Sequence, residues 1–519
     1  MTAPIPLGRP GAFGRSRFRP ASRPVAPVAP RIRSVANGRA PLFAPSGHPL
    51  AEPAISAALA RRAEEIDRAF AAIEPVLVTL APRQFEPGFA ERAAAEIASV
   101  LGVGVEPARL EATWNRPLDM VALQASLVLR TFARLVERTA ARPPAVEEGE
   151  PVAEVVRRFG FHGVDVSTCA DGRLGGLLDH VLRVPPAIVV ARKSFAGAMF
   201  DVEEAIARFE RVELGRWREG RPNPASEPTR YLKLGVYHFS SLDPQHEGCA
   251  AHGSDERRAA AALLARLHDF AEAVARRHGE ATRPAILLVG VDTDTDSIRV
   301  HVPDPAGEID LDRYLSSAEL HAATRELSRE AAKEEIRRRV AASIGVAPDD
   351  PATEGMRWFC GYLLKNNIAQ VEAVLARFGG PYPDRGHEER LVVVGDPIDD
   401  VQLRNLAFQA QMRSIEEGEG DLAVGIRILG ERLAPAGLAV PILVLRTFEG
   451  GLPGAADRAA ERAQLMRRAV ERRFSGTGSA PRILVEAAIR AAEGGSLRFL
   501  SRDVVRANGC SCAQREGIG

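Results

Sequence analysis

The pentapeptide Cys169-Ala170-Asp171-Gly172-Arg173 places a thiol, a carboxylate and a guanidinium within five positions. It follows a short apolar run, Phe161 to Val166, that reads as a buried strand. A second segment, Tyr231 to Asp255, reads as a strand ending in a loop and offers His238 and Cys249. Two thiolates and one imidazole supply three of the four ligands of a tetrahedral zinc ion. Three protein ligands leave the fourth position to water, the arrangement of a catalytic rather than a structural zinc. A thiol ligates only as the thiolate, and both the metal and the neighbouring Arg173 favour that form.

Rival ligands lie close by. His246 and His252 share the loop with Cys249, and Cys249 with His252 forms C-x-x-H. His238 is preferred because it ends a strand and is held rigidly, whereas glycine-flanked loop histidines cost more ordering entropy to position. His162 and His180 read as core or helix-surface groups. Asp292, Asp294 and Asp296 form D-x-D-x-D, but no Gly follows at the turn and no Glu closes the motif. It reads as a hairpin turn and not as a calcium loop. Cys360, beside Trp358 and Phe359, reads as core, and Cys510 and Cys512 as free thiols of a mobile tail. Five cysteines in 519 residues are no disulfide framework and point to a reducing compartment. No P-loop, dinucleotide fingerprint or G-x-S-x-G elbow is present.

The candidate ligands need a scaffold. From about 152 to 380, strands near 161–167, 187–191, 232–239, 285–291 and 298–302 alternate with helices that include 255–278, 317–343 and 353–378. That alternation predicts an α/β layer with a largely parallel sheet, where sites form at the carboxyl ends of strands. Cys169 and His238 both fall at such ends. After a boundary near 379–389 the order of elements repeats. The segment 391–408 parallels 162–179, while 441–448, a helix at 455–474 and 482–489 parallel the strand–helix–strand unit from Tyr231 onward. This second half has no Cys between 361 and 509, so it reads as a duplicate that kept the fold and lost the metal site.

The front of the chain differs. Residues 1–50 hold eight Arg, ten Pro and no Lys, Asp or Glu. Such a segment buries too little surface to offset its ordering entropy and is expected to be a disordered tail that docks on an acidic partner. Arg without acid is a trait of organellar transit peptides, but the prolines would break the required amphipathic helix. No apolar h-region of a secretory signal is present. Residues 51–142 read as helices, with Pro75 ending or kinking the first, a second at Phe89–Leu101 and a third at Leu118–Ala141 starting after Pro117. The stretch 143–151 reads as a linker. Formal net charge is zero, which gives no global case for a nucleic-acid partner. The longest apolar runs are too short to span a bilayer.

C-A-D-G-R matches the C-x-D-x-R signature of β-class carbonic anhydrases. That class usually supplies its remaining ligands as H-x-x-C, whereas His238 and Cys249 stand eleven apart. The wide gap, the helical region in front and the metal-free repeat behind resemble the carboxysome shell carbonic anhydrases, a divergent β-class branch of α-type carboxysomes. The resemblance covers about 50 to 510. It implies a helical domain at 51–150, an α/β zinc-binding catalytic domain of β-class type at 151–385 and a degenerate repeat at 386–519. It implies one zinc per chain on Cys169, His238 and Cys249, with Asp171 and Arg173 as the catalytic dyad. Asp171 would orient the attacking oxygen, and Arg173 would keep Asp171 ionised through a bidentate pair. The implied activity is reversible hydration of carbon dioxide to bicarbonate, supplying carbon dioxide to a packaged carboxylase (Rubisco). A homodimer or higher homo-oligomer is implied, and the basic tail becomes a candidate anchor to Rubisco or a shell protein. The competing readings are another zinc lyase or hydrolase on the same fold, and a non-catalytic scaffold stabilised by zinc.

Overall fold

The computed structural model describes residues 47–51, 53–112, 118–139, 160–171, 189–221, 226–304, 306–344, 351–382, 390–396, 407–410, 415–474 and 481–500, with Leu174, Leu182, Val184 and Pro224. The tail before residue 47, the linker at 143–151, Arg173, His180, Cys510 and Cys512 lie outside the described residues.

The chain opens with helices α1 (Pro53–Ala71), α2 (Ile73–Leu80), α3 (Phe89–Leu101), α4 (Pro107–Ala112) and α5 (Met120–Thr139). The first break falls at Ala72, and Pro75 occupies the first turn of α2, where its missing amide has no intrahelical partner to lose. α5 starts two residues later than expected because the Asp119 carboxylate accepts from Val121 N and Ala122 N at 3.1 Å and caps it.

The first sheet contains β1 (Gly163–Cys169), β2 (Val189–Phe195), β3 (Tyr231–Phe239), β4 (Ala285–Asp292), β5 (Ile298–His301) and β6 (Leu315–Ser316), in the order β2-β1-β3-β4-β5-β6. β1 to β4 are parallel, and β5 and β6 are antiparallel. Every residue of β1 and β3 is buried, because helices cover both faces. One cover is α6 (Val202–Arg218) with α7 (Glu256–His278). The Asp201 and Asp255 carboxylates cap these helices, accepting from Glu204 N at 2.7 Å and Arg258 N at 2.9 Å. The remaining helices of this half are α8 (Ser317–Thr324), α9 (Arg329–Ile344) and α10 (Pro351–Phe378). The single helix expected over 317–343 is thus two. Ser328 interrupts it, its hydroxyl accepting from Ala331 N at 3.3 Å to start α9.

Two charged residues interrupt the apolar interior. Asp165 and Lys233 pair in register on β1 and β3, with Lys233 Nζ 2.9 Å from Asp165 Oδ1. Arg208 and Tyr231 donate to Asp165 Oδ2 at 2.9 and 3.1 Å, and Lys233 donates to Ser167 Oγ at 2.7 Å. Burial opposes ionisation of Asp165, but the two cations outweigh it and hold the carboxyl below its usual range. Desolvation lowers Lys233 to about 8.

The second half forms β7 (Leu391–Gly395), β8 (Ala407–Ala410), α11 (Ile415–Leu433), β9 (Val440–Phe448), α12 (Ala455–Phe474), β10 (Ile483–Ala491) and β11 (Arg498–Phe499). Its sheet runs β8-β7-β9-β10-β11, the order and directions of β2-β1-β3-β4-β5. Register also agrees. Phe239 pairs with Asp292 at the end of β4, as Phe448 pairs with Ala491 at the end of β10. By the same registers the places of Asp165 and Lys233 are taken by the paired Val392 and Ile442. Alternation splits the second sheet cleanly. Leu391, Val393, Leu443 and Leu445 join one core with the N-terminal helices, while Val392, Val394, Ile442 and Val444 pack with α11 and α12. The N-terminal helices therefore close their core on this sheet. β2 and β8, the edges of the two sheets, lie alongside each other, and the outer edges β6 and β11 are two residues long. Among the described residues no helix is long and apolar enough to cross a membrane.

Candidate metal centre

Strand order reverses between β1 and β3, because β2 lies to one side of β1 and β3 to the other. In parallel sheets that reversal opens a crevice at the carboxyl ends of the two strands. Cys169 is the last residue of β1, and His238 is the penultimate residue of β3. Cys249 arrives from the following loop, just before a short 3-10 turn, Ala250–His252. The ligand atoms of Cys169, His238 and Cys249 all lie within 4.8 Å of one another, and all three residues are buried.

The loop is shaped to deliver Cys249. A side chain on Gly248 would meet Ser254 O at 2.6 Å, so this position requires glycine. Cys249 O accepts from His252 N and Ser254 N, each at 3.0 Å, which turns the chain into α7. The rival histidines point elsewhere. His246 is exposed and pairs with Asp243 at 2.8 Å, and His252 lies against Gly197, its Nε2 3.4 Å from the carbonyl oxygen. His162 sits at the opposite end of β1, where its Nδ1 accepts from Arg230 N at 2.8 Å. Burial and nearby arginines depress it to about 4.

The donor set fits a soft divalent ion. Cys169 Sγ and Cys249 Sγ are 3.7 Å apart. Neither ring nitrogen of the buried His238 has a hydrogen bond of good geometry, although Nε2 lies 3.1 Å from Asp171 Oδ2. A buried imidazole in that condition between two thiols is a donor set suited to a soft cation. The hydrogen bond between the thiols lowers Cys249 and, with burial, pushes Cys169 well up. Burial would lower His238, but Asp171 and Cys169 outweigh it and raise the ring to about 9. A cation requires both thiolates and a neutral ring, so its binding expels these protons. Asp171, the one described member of the expected dyad, stands beside the triad through its contact with His238.

The residues that sequence reasoning left out of the site are Asp292 and Asp294. The hairpin turn expected of D-x-D-x-D joins β4 to β5. Its carboxylates face the start of the ligand loop. Asp292 accepts from Ser241 N and Oγ at 3.1 and 2.8 Å, and Asp294 from Ser240 Oγ and Leu242 N at 2.8 and 2.9 Å. Only the odd spacing of three acids in a short turn marked them.

The fold and the site define a two-sheet α/β protein with a buried Cys-His-Cys metal-binding group at the switch point of its first sheet. Family models of the carboxysome shell carbonic anhydrase match the chain as N-terminal region over 48–140, catalytic domain over 151–387 and C-terminal region over 388–502. The chain is 41% identical over 434 residues to the carboxysome shell carbonic anhydrase of Parasynechococcus marenigrum, covering 82% of this chain and 74% of that one. It is 40% identical over 468 residues to that of Prochlorococcus marinus (87% and 90% covered) and 38% over 437 residues to that of Halothiobacillus neapolitanus (82% and 85%). The chain belongs to the carboxysome shell carbonic anhydrase family.

Proposed function

We propose that this chain is a zinc carbonic anhydrase of the carboxysome that interconverts carbon dioxide and water with bicarbonate and a proton. The observation that carries the reading is the meeting of Cys169, His238 and Cys249 at the carboxyl ends of two adjacent parallel strands. Zinc bound there supplies Lewis acidity that makes a water nucleophilic near neutral pH, an effect for which carbonic anhydrase with three imidazole ligands is itself the standard example.

The protein's own residues do the rest. Asp171 stands beside the ligand group, its Oδ2 3.1 Å from His238 Nε2. Its carboxylate accepts a hydrogen bond from the attacking oxygen and orients a lone pair toward carbon dioxide. Arg173, two residues on in the C-x-D-x-R pattern, holds Asp171 ionised. Addition of that oxygen to carbon dioxide gives bicarbonate, one proton of the water passes to solvent, and bicarbonate leaves the site.

Residues 51–150 form the helical domain in this reading, 151–385 the catalytic domain, and 386–519 a degenerate repeat of it. The common strand order and register of the two sheets support the duplication. The enzyme works on the inner side of the carboxysome shell, supplies carbon dioxide to packaged Rubisco, and assembles as a homodimer. The Arg-rich residues 1–50 anchor it to Rubisco or a shell protein.

Metal analysis paired with carbon dioxide hydration tests the reading. Wild type should hold one zinc per chain and turn over, and Cys169→Ser should lose both. Zinc without hydration activity would favour a structural scaffold. Zinc with turnover of a different electrophile and none of carbon dioxide would favour another lyase or hydrolase.

A further inference from the structure

We infer that Asp292 and Asp294 are positioning residues for the metal ligands, clamping the start of the loop that joins His238 to Cys249. The inference rests on the metal-site reading above. Ten residues separate the two ligands, and a free loop of that length would sample many placements of Cys249 before a metal could bind. The hairpin tip removes that freedom at the His238 end. Phe239 O, directly after the ligand, accepts from Thr293 N and Oγ1 at 2.9 and 3.1 Å. Ser241 is held through both its amide and its hydroxyl by Asp292, and Leu242 through its amide by Asp294. Ser240 Oγ donates to Asp294 and accepts from Asp243 N at 2.9 Å, carrying the hold one residue further. The tip itself is braced from behind. Asp296 accepts from Gln370 Nε2 at 2.9 Å and from Tyr382 Oη at 2.7 Å.

The second sheet provides an internal comparison. By register, Ala491 takes the place of Asp292, and Glu493 that of Asp294. There the backbone bond persists, Ala492 N donating to Phe448 O at 2.8 Å, and a single carboxylate contact remains, Gly450 N donating to Glu493 Oε1 at 3.0 Å. The dense clamp accompanies the ligand loop, while the hairpin fold alone manages with a single carboxylate contact. Groups that orient metal ligands from outside typically govern affinity by about 10–100-fold.

The test uses the full chain and two variants, Asp294→Asn and Ser240→Ala, the latter removing one hydroxyl should the former fold poorly. Zinc affinity is read by competition with a chromogenic chelator, and ligand geometry by the visible spectrum of the cobalt(II)-substituted protein. The expected result is about 10–100-fold weaker zinc binding and an altered cobalt spectrum, with faster hydrogen exchange over 240–250. Wild-type affinity and spectrum in the folded variants would overturn this inference alone. A wild type that binds no zinc would overturn the metal-site reading and the inference with it.

Discussion

Asp396 Oδ2 accepts two hydrogen bonds from Thr447, one from the amide at 2.6 Å and one from the hydroxyl at 2.9 Å. By strand register these two residues stand in the second sheet where Cys169 and His238 stand in the first. Arg446 adds an ion pair to Asp396 at 3.1 Å. The second switch point is thus tied shut by a direct bond where the first presents ligands. Asp396→Ala is expected to leave zinc at one per chain and hydration unchanged, and to cost roughly 1–2 kcal/mol of stability. Metal analysis, a carbon dioxide hydration assay and denaturant unfolding check the three parts of the expectation.

In the proposed mechanism Asp171 separates chemistry from metal binding. Asp171→Asn keeps the size of the side chain but weakens its capacity to orient the attacking oxygen. Hydration should fall by roughly 10²-fold with zinc retained, whereas Cys169→Ser should lose the metal as well. Stopped-flow hydration assays alongside zinc content distinguish the two outcomes.

The buried pair beneath the site can be exchanged for the residues of the second sheet. Asp165→Val alone strands Lys233 without its carboxylate in the interior and should cost about 3–5 kcal/mol. Adding Lys233→Ile recreates the Val392–Ile442 pairing and should recover most of that loss, since Arg208 retains Glu204 at 3.1 Å. A double-mutant cycle by urea unfolding checks it. If the double variant were as unstable as the sum of the singles, the apolar pair would not substitute for the ionic one.

Acid should destabilise the first sheet through His301. Its Nε2 shares a 2.8 Å hydrogen bond with Tyr237 Oη, and burial depresses it from 6.5 to about 4. Between those values the unfolded chain binds the proton and the folded one does not. Stability is therefore intact above pH 6.5 and falls as pH drops toward 4, by about 3 kcal/mol from this group. The metal ligands also take up protons in acid, so the comparison is between wild type and His301→Gln. The variant should show a shallower loss between pH 6.5 and 4 in urea unfolding series.

Much of the candidate site was legible because its parts lie within single strands and their ends. Cys169-x-Asp171 after an apolar run and His238 at the close of another were readable as local pattern, and α3 and α12 have the limits their periodicity predicts, Phe89–Leu101 and Ala455–Phe474. What escaped depends on pairing between distant segments. The Asp165–Lys233 contact exists only because β1 and β3 are neighbours in one particular register. The grip of Asp292 and Asp294 on Ser240 to Leu242 arises because β4 ends beside β3. The role of the N-terminal helices was hidden for the same reason. Leu127 and Phe132 look like the core of a helical bundle, but they share one core with Leu391 and Leu443.

The placement of the sheet edges bears on life at high concentration. Exposed strands invite pairing with other chains, a hazard that rises with protein concentration. Here β2 and β8 turn toward each other within one molecule, and β6 and β11 end the sheets after two residues. Among the described residues the outer edges offer only two residues each on which a neighbour could template. Growth strand by strand is disfavoured at these two edges, and side-chain surfaces, whose strength substitution can tune, offer the other route to association.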